Sequence, residues 1–227
     1  MLLALDTATG SIGAAVLADG AVLAEVTHQD SRRHGELLAP AIEEALAGAG
    51  ASVRDLTGIV VGVGPGPFTG LRVGIVTGLV MARVRGIPVH GVCSLDALAE
   101  QAVEEQVVDA TFLVATDARR KEVYWAVYAV QHGRPVRTDG PGVAHAADLP
   151  DSVRCLPAVG RGPLLYDSLR HAGGPVDASP GYLGRVAHRA LSGGTDQTGA
   201  DGILLPPEPL YLRHPDAAVP GPAKLVP

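Results

Sequence analysis

Aromatic residues and positive charge are both scarce in this chain of 227 residues. Aromatic side chains make up 4% of the sequence, and 18 Lys and Arg residues are outnumbered by 24 Asp and Glu residues, which leaves a net charge of −6 at pH 7. A protein that binds nucleic acid by itself needs a basic surface and aromatic stacking platforms. The composition therefore argues against a free-standing nucleic-acid-binding protein.

Metal-ligand and redox motifs are also missing. The two cysteines, Cys93 and Cys155, are far apart, and no two of the eight histidines have the spacing of a helical HExxH or HxxxH pair. We therefore expect no metal site and no cofactor. The first apolar run lacks a preceding cationic segment, and no run is long enough to span a membrane. We expect a cytoplasmic protein with no membrane segment.

The sequence does contain ample material for a folded core, because 47% of its residues are hydrophobic. In the first half, apolar runs separated by turn residues predict three strands followed by alternating helices and strands. The predicted strands cover 1–5, 12–17, 21–27, 58–63 and 87–93. The predicted helices cover 33–47, 70–85 and 94–105, and Ser94 is predicted to cap the last of them.

The second half repeats this opening pattern. An apolar run ends at Asp117 as the first run ends at Asp6, and the following strand pairs turn at Gly133 and Gly20. A strand at 156–159 and helices at 164–171 and 182–191 follow. The repeat predicts an internal duplication, although strand–turn–strand patterns are common enough for coincidence. We expect two halves, 1–108 and 109–214, and a flexible tail at 215–227.

The segment GPGPFTGLR at 64–72 lies between a predicted strand and a predicted helix, where phosphate-binding loops occur. However, it lacks the Gly-Lys-Ser/Thr ending of a Walker loop, and its two prolines remove backbone donors that such loops need. We favour a rigid structural turn in which Thr69 is the helix N-cap over an anion site. The residues of this turn are Gly64, Pro65, Gly66, Phe68, Thr69 and Gly70.

Small residues recur every four positions along the helix that follows, at Gly70, Gly74, Gly78 and Ala82. Interior glycines destabilise a helix, so a close approach of another element must offset their cost. Either the helix is central in its own domain, or a separate protein covers it, and we favour the second. With the apolar stripe of the first helix, the predicted docking surface comprises Leu37, Leu38, Ala41, Ile42, Ala45, Leu71, Gly74, Ile75, Gly78, Leu79 and Ala82.

Asp6 and Asp117 follow matching strands of the two halves. In a cleft between duplicated domains such aspartates can position a metal–nucleotide or activate water, but turn residues need no such role, and both interpretations stay open. Thr7 and Arg119 complete this candidate nucleotide cleft, although Arg119 is most simply interpreted as part of a solvated hairpin tip.

Four segments together resemble the TsaB (YeaZ) family: LALDTA at 3–8, GPGPFTGLRVG at 64–74, DARR at 117–120 with EVY at 122–124, and PLYLR at 209–213. The resemblance implies an α/β fold of the duplicated actin/Hsp70-like (ribonuclease H-like) type, with mixed sheets flanked by helices. Pro67 and Gly35 depart from the family pattern, in which Ser is more usual at both positions.

The resemblance also implies a function. Such proteins are accessory subunits of tRNA threonylcarbamoyladenosine biosynthesis, which dock through two helices on the catalytic subunit TsaD or on a second copy. TsaD transfers threonylcarbamoyl to N6 of adenosine 37 in tRNAs that read ANN codons, and the ATPase TsaE joins the assembly. We expect a non-catalytic scaffold that meets tRNA only indirectly. An ATPase or small-molecule kinase that uses Asp6 and Asp117 is the alternative.

Overall fold

The structure is a computed structural model that describes residues 1–30, 33–193 and 202–213. The predicted tail at 215–227 lies outside this range. The first half contains a five-stranded sheet of order β3-β2-β1-β4-β5 and three helices. Its elements are β1 (Leu2–Asp6), β2 (Ser11–Ala18), β3 (Ala21–Gln29), α1 (His34–Gly48), β4 (Gly58–Gly62), α2 (Phe68–Arg85), β5 (Val89–Val92) and α3 (Ser94–Glu104).

The second half repeats the same topology. Its sheet has the order β8-β7-β6-β9-β10. In both sheets the first strand of the half pairs antiparallel with the second and parallel with the fourth, so the duplication and the fold class are confirmed. The elements are β6 (Phe112–Asp117), β7 (Glu122–Gln131), β8 (Arg134–His145), α4 (Asp151–Arg154), β9 (Pro157–Val159), α5 (Gly162–Leu165), β10 (Arg170–His171) and α6 (Pro180–Ser192).

The two halves differ in their outer helices. In the first half α1 and α2 cover one face of the sheet, whereas the corresponding α4 and α5 are four residues each. The predicted helix at 164–171 is therefore wrong beyond Leu165. Residues 170–171 instead pair with β9 as the short strand β10, so the backbone hydrogen bonds of this segment go to the sheet.

The third helices are exchanged between the halves. Helix α3 packs on strands of the second sheet, α6 packs on β1, β2 and β4 of the first sheet, and the two helices contact each other. One hydrophobic cluster consequently joins Ala4 and Leu17 of the first sheet, Leu98 of α3, Phe112 of the second sheet and Leu183 of α6. The predicted division at residue 108 separates the two repeated strand patterns. However, α3 and α6 each pack on the sheet of the other half, so the hydrophobic core extends across this division.

The glycine face of α2 lies against the chain's own strands. A Cβ atom added to Gly74 would be 2.5 Å from Oγ1 of Thr7, and one added to Gly78 would overlap Val61 of β4. The Thr7 hydroxyl, which is fully buried, donates to the Gly70 carbonyl (2.8 Å) and accepts from the Gly74 amide (3.1 Å). The prediction that a separate protein covers this face is therefore wrong, because the first sheet occupies the space.

Two predicted helix caps are also wrong. Helix α2 begins at Phe68 with Pro67 in the cap position and no side-chain cap, so Thr69 lies inside the first turn. Ser94 is the first residue of α3 rather than its cap, and its hydroxyl donates to a carboxylate of β1 instead. In both cases the chain enters the helix one or two residues before the predicted position.

Within the parts of the chain that the structure describes, no helix has the length and apolar character needed to cross a membrane.

The packing of α2 predicts opposite effects for two Gly→Ala substitutions. Gly78→Ala should lower the free energy of unfolding by about 1–3 kcal/mol, because the added methyl group overlaps buried Val61. Gly35→Ala in α1 is the matched control: no described residue lies within 4 Å of its added Cβ, so better helix propensity should stabilise the protein by about 0.5–1 kcal/mol. Urea unfolding of the three proteins measures both values, and a neutral Gly78→Ala would contradict this packing.

Candidate functional site

A cleft lies where the turn after β1 meets the turn after β6. Its cavity has a volume of about 340 Å³ and includes residues from both halves of the chain. The turn after β1 contributes Ala8, Thr9 and Gly10, the end of β6 contributes Asp117, and the turn after β6 contributes Arg119. Further lining residues are Gln29, Asp30, His34, Pro67, Thr116, Arg161 and Asp177.

Asp6 does not line this cavity. Asp6 is only 1% exposed. Its carboxylate accepts hydrogen bonds from the Ala8 amide (2.8 Å) and the Ser94 hydroxyl (2.6 Å). Burial raises the pKa of Asp6 from its ordinary value of 3.8 to about 6, although the two hydrogen bonds partly oppose that shift. The carboxylate ties β1 to the start of α3 and has no path to a ligand in the cleft.

Thr7 is likewise absent from the cavity wall, since its hydroxyl is bonded into α2. Of the four predicted cleft residues, Asp117 and Arg119 do line it. The Asp117 carboxylate accepts from the Arg119 amide (2.8 Å) and the Tyr166 hydroxyl (3.4 Å), and the Arg119 guanidinium lies 3.3 Å from it. The negative charge of the Asp117 carboxylate is therefore balanced by Arg119, and its oxygens are hydrogen-bonded by neighbouring residues.

The sequence analysis missed an ion pair that organises the cleft. Asp177 accepts a hydrogen bond from the Gly10 amide (3.0 Å) and forms an ion pair with Arg161. Neither residue belongs to a recognisable motif, because both lie in irregular connections that contain Gly and Pro. They contact the first half of the chain only in the folded structure. No signal in a single sequence could have paired residues 10 and 177.

The Gly64–Pro65 turn packs tightly at the edge of the cleft. Gly64 has a φ of +96°, which favours glycine, and a Cβ on Gly66 would overlap the Ala8 carbonyl. The Tyr124 hydroxyl donates to the Gly66 carbonyl at 3.4 Å. This turn therefore contacts both halves of the protein.

At the start of α2 a small aromatic cluster attaches the last described segment of the chain. The Phe68 and Tyr211 rings stack with centroids 5.0 Å apart. The Arg72 guanidinium lies 3.6 Å above the Phe68 ring, and its Nε donates to the Tyr211 hydroxyl at 3.0 Å. Residues 203–213 thus connect β5, through the Gly91–Leu205 bridge, to the first turns of α2.

Apart from Arg83, the exposed side of α2 is apolar from Val76 to Val84. Val76, Val80 and Val84, four residues apart, are 54%, 56% and 80% exposed, and Phe68 and Leu79 are also exposed. We call these five residues the outer stripe. Of the predicted docking residues, Leu79 belongs to it and Leu37 is half-buried. The other nine are buried within the chain, so the predicted face was wrong for them: Leu38, Ala41, Ile42, Ala45, Leu71, Gly74, Ile75, Gly78 and Ala82.

Comparisons with known proteins agree with this architecture. Residues 21–149 match the family model described as TsaD: tRNA N6-adenosine threonylcarbamoyltransferase. The protein Rv3421c of Mycobacterium tuberculosis, which is named as uncharacterized, is 40% identical over 223 residues, covering 95% of this chain and 93% of that protein. The tRNA threonylcarbamoyladenosine biosynthesis protein TsaB of Escherichia coli is 36% identical over 127 residues, covering 56% of this chain and 54% of TsaB.

A solved structure covers more of the chain. YeaZ from Pseudomonas aeruginosa superposes with a TM-score of 0.70 at 30% identity, over 85% of this chain and 92% of YeaZ. The chain belongs to the TsaB/YeaZ family. Another Pseudomonas aeruginosa structure, described as similar to peptidase YEAZ, gives a TM-score of 0.78 at 27% identity over 93% of this chain. The named TsaB relatives match about half the chain, whereas the YeaZ folds extend across both halves.

The TsaB/YeaZ fold of this chain buries a carboxyl group whose ionisation should affect stability. The unfolded chain releases the Asp6 proton near pH 4, whereas the folded protein keeps it up to about pH 6. Wild-type stability should therefore fall, relative to Asp6→Asn, as pH rises from 4 to 6, by roughly 3 kcal/mol in total, and the difference should be constant above that range.

Chemical unfolding of wild type and Asp6→Asn at a series of pH values measures this difference. Asp19→Asn, in the exposed turn between β2 and β3, is the control for removing a surface carboxylate. A difference that does not grow between pH 4 and 6, or that grows equally in the control, would contradict the burial of an ionisable Asp6.

Proposed function

We propose that this chain is the accessory, non-catalytic subunit of tRNA threonylcarbamoyladenosine biosynthesis. It binds the catalytic subunit TsaD through the outer stripe of α2 and so supports threonylcarbamoyl transfer to N6 of adenosine 37 in tRNAs reading ANN codons. The ATPase TsaE acts on the same assembly. The observation that carries the proposal is the outer stripe, an apolar helix face exposed in a chain of this family.

The energetics of the outer stripe favour a protein partner. Complete burial of a valine side chain contributes about 1.5–3 kcal/mol. Burying three exposed valines on one face against a partner would therefore contribute substantially to the free energy of binding. Contiguous exposed apolar patches in otherwise soluble folds are typical of interaction sites. Arg72 and Arg83 are also exposed on α2, and charged residues at the edge of such a patch can guide association.

The spacing of the stripe suggests what the partner presents. Side chains four residues apart form a ridge, and such ridges pack into the grooves of another helix. Residues 21–149, which include α1 and α2, match the TsaD family model. TsaD is therefore expected to carry a similar helix pair, and like surfaces can pair about a pseudo-twofold axis. In the absence of TsaD, a second copy of this chain would compete for the same face.

An anchor for the partner lies at the N-terminal end of the stripe. A cavity of about 330 Å³ opens beside Phe68 and is lined by Tyr124, Tyr211 and Leu212, with Asp117, Arg119 and Arg213 also in its wall. Pockets lined by aromatic side chains can hold the anchoring side chains that dominate binding energy in many interfaces. A large apolar side chain of TsaD inserted here would add to the burial along α2.

A non-catalytic role is supported by the state of the cleft. Asp6 is sealed below the cavity, and Asp117 is compensated by Arg119 and Tyr166. The net charge of −6 supports a division of labour in which TsaD makes the main contacts with tRNA phosphates.

The docking proposal is tested by placing negative charge on the outer stripe. The double variant Val80→Glu/Val84→Glu should bind purified TsaD at least about 100-fold more weakly, because two carboxylates would lose their water in the interface. Leu191→Glu is the matched control, since Leu191 is an exposed apolar residue on a different helix, α6. Affinities are measured by calorimetry and size-exclusion chromatography.

Unchanged TsaD binding by the double variant, with circular dichroism like that of wild type, would refute the outer stripe as the interface. A reconstituted transfer assay tests the other element of the proposal. The chain alone should transfer no threonylcarbamoyl to tRNA, and the double variant should fail to support TsaD. Turnover by the chain alone would refute the non-catalytic role.

A further inference from the structure

The cleft contains a carboxylate that occupies a position built for an anion. The side chain of Asp177 is 6% exposed. Its Oδ1 accepts from the Gly10 amide at 3.0 Å and from Arg161 Nε at 3.3 Å, and its Oδ2 accepts from the Arg161 guanidinium. One backbone amide and a two-pronged guanidinium therefore converge on one carboxylate.

These donors are of the kind that bind oxyanions in general. Arginine presents parallel N–H groups that match carboxylate and phosphate oxygens, and amides of tight turns supplement them. Gly10 permits the approach, because a Cβ at this position would lie 3.0 Å from an Arg161 nitrogen and 3.1 Å from Asp177 Oδ1. The donors come from the turn after β1 and from the start of α5, and the carboxylate comes from the segment before α6.

The adjoining backbone holds the carboxylate in place. The Ala178 amide donates to the Thr9 hydroxyl at 3.3 Å, so consecutive residues of the segment before α6 are bonded to consecutive residues of the turn after β1. Beyond Asp177, the cavity of about 340 Å³ remains open and also contains Asp30 and Asp117. A phosphate entering the cavity would find the Gly10 amide and the Arg161 guanidinium already bonded to the Asp177 carboxylate.

We propose that Asp177 is a built-in anion that occupies an oxyanion site in the cleft and thereby closes it to phosphate groups. Phosphate and the Asp177 carboxylate compete for the Gly10 amide and the Arg161 guanidinium. The inference concerns the cleft and does not depend on the proposed partner, because neither donor lies on the outer stripe.

The test uses the full chain and inorganic phosphate as the probe. Asp177→Ala removes the internal anion and should create a phosphate site that binds at least about tenfold more tightly than any site in wild type. The thermal midpoint of Asp177→Ala should therefore rise with phosphate concentration at constant ionic strength, while that of wild type stays flat. Calorimetric titration gives the affinity directly.

Two controls isolate the site. Asp151→Ala also removes an arginine-paired carboxylate, but one that is 84% exposed, and it should create no phosphate response. Asp177→Ala/Arg161→Ala lacks the guanidinium and should lose the response seen in the single variant. If Asp177→Ala does not fold, Asp177→Ser, whose short neutral side chain also leaves the position of the carboxylate empty, should show the phosphate-dependent midpoint instead.

The proposal is overturned if wild type binds phosphate as tightly as the variants do. It is equally overturned if folded Asp177→Ala or Asp177→Ser shows no response, or if the response survives the loss of Arg161. None of these measurements involves TsaD, so their failure would leave the docking proposal untouched.

Discussion

The first half of the molecule depends on one hydroxyl group. Thr7 lies directly after β1 and bridges the carbonyl of Gly70 and the amide of Gly74 one turn later in α2. A buried hydroxyl without partners is costly, and here both its donor and its acceptor capacity are used. The bridge requires the helix backbone to approach the strand end closely, which is possible because positions 70 and 74 have no side chains. The orientation of α2 follows from that approach.

Fixing α2 in this way determines which of its sides remain available. The small-residue side of α2 is buried against Thr7 and β4, so the valines on the opposite side are exposed to solvent. The same contact places the first turn of α2 beside the cleft, where Phe68 receives Tyr211. The hydrogen bonds of Thr7 at the end of β1 thus fix the positions of the buried side of α2, the candidate interface and the edge of the cleft.

Much of the architecture could be predicted from sequence because it repeats. Asp6 and Asp117 end equivalent strands, and the strand order around them is the same in both halves. The spacing of Gly70, Gly74 and Gly78 correctly indicated a close approach, but spacing alone cannot distinguish an approaching strand of the same chain from a different protein. The shortness of α5 was missed, since Leu165 and Leu169 have the four-residue spacing of a helix face although the chain leaves the helix after Leu165.

The candidate site was harder to predict for a physical reason. Aspartates at turns attract attention because they can bind ligands, yet burial removes Asp6 from the cleft and leaves its carboxyl group with an elevated pKa. The residues that do organise the cavity, Arg161 and Asp177, meet Gly10 across most of the chain length. Such long-range pairs depend on the complete tertiary structure and leave no local pattern in a single sequence.

The exchange of α3 and α6 has a consequence for biosynthesis on the ribosome. Gly184 of α6 packs onto Leu17 and Ala4, which belong to the first strands to emerge during translation. One face of the N-terminal sheet therefore lacks its native cover until α6 has been made, and contacts so distant in sequence form slowly. The nascent protein exposes an apolar surface throughout that interval.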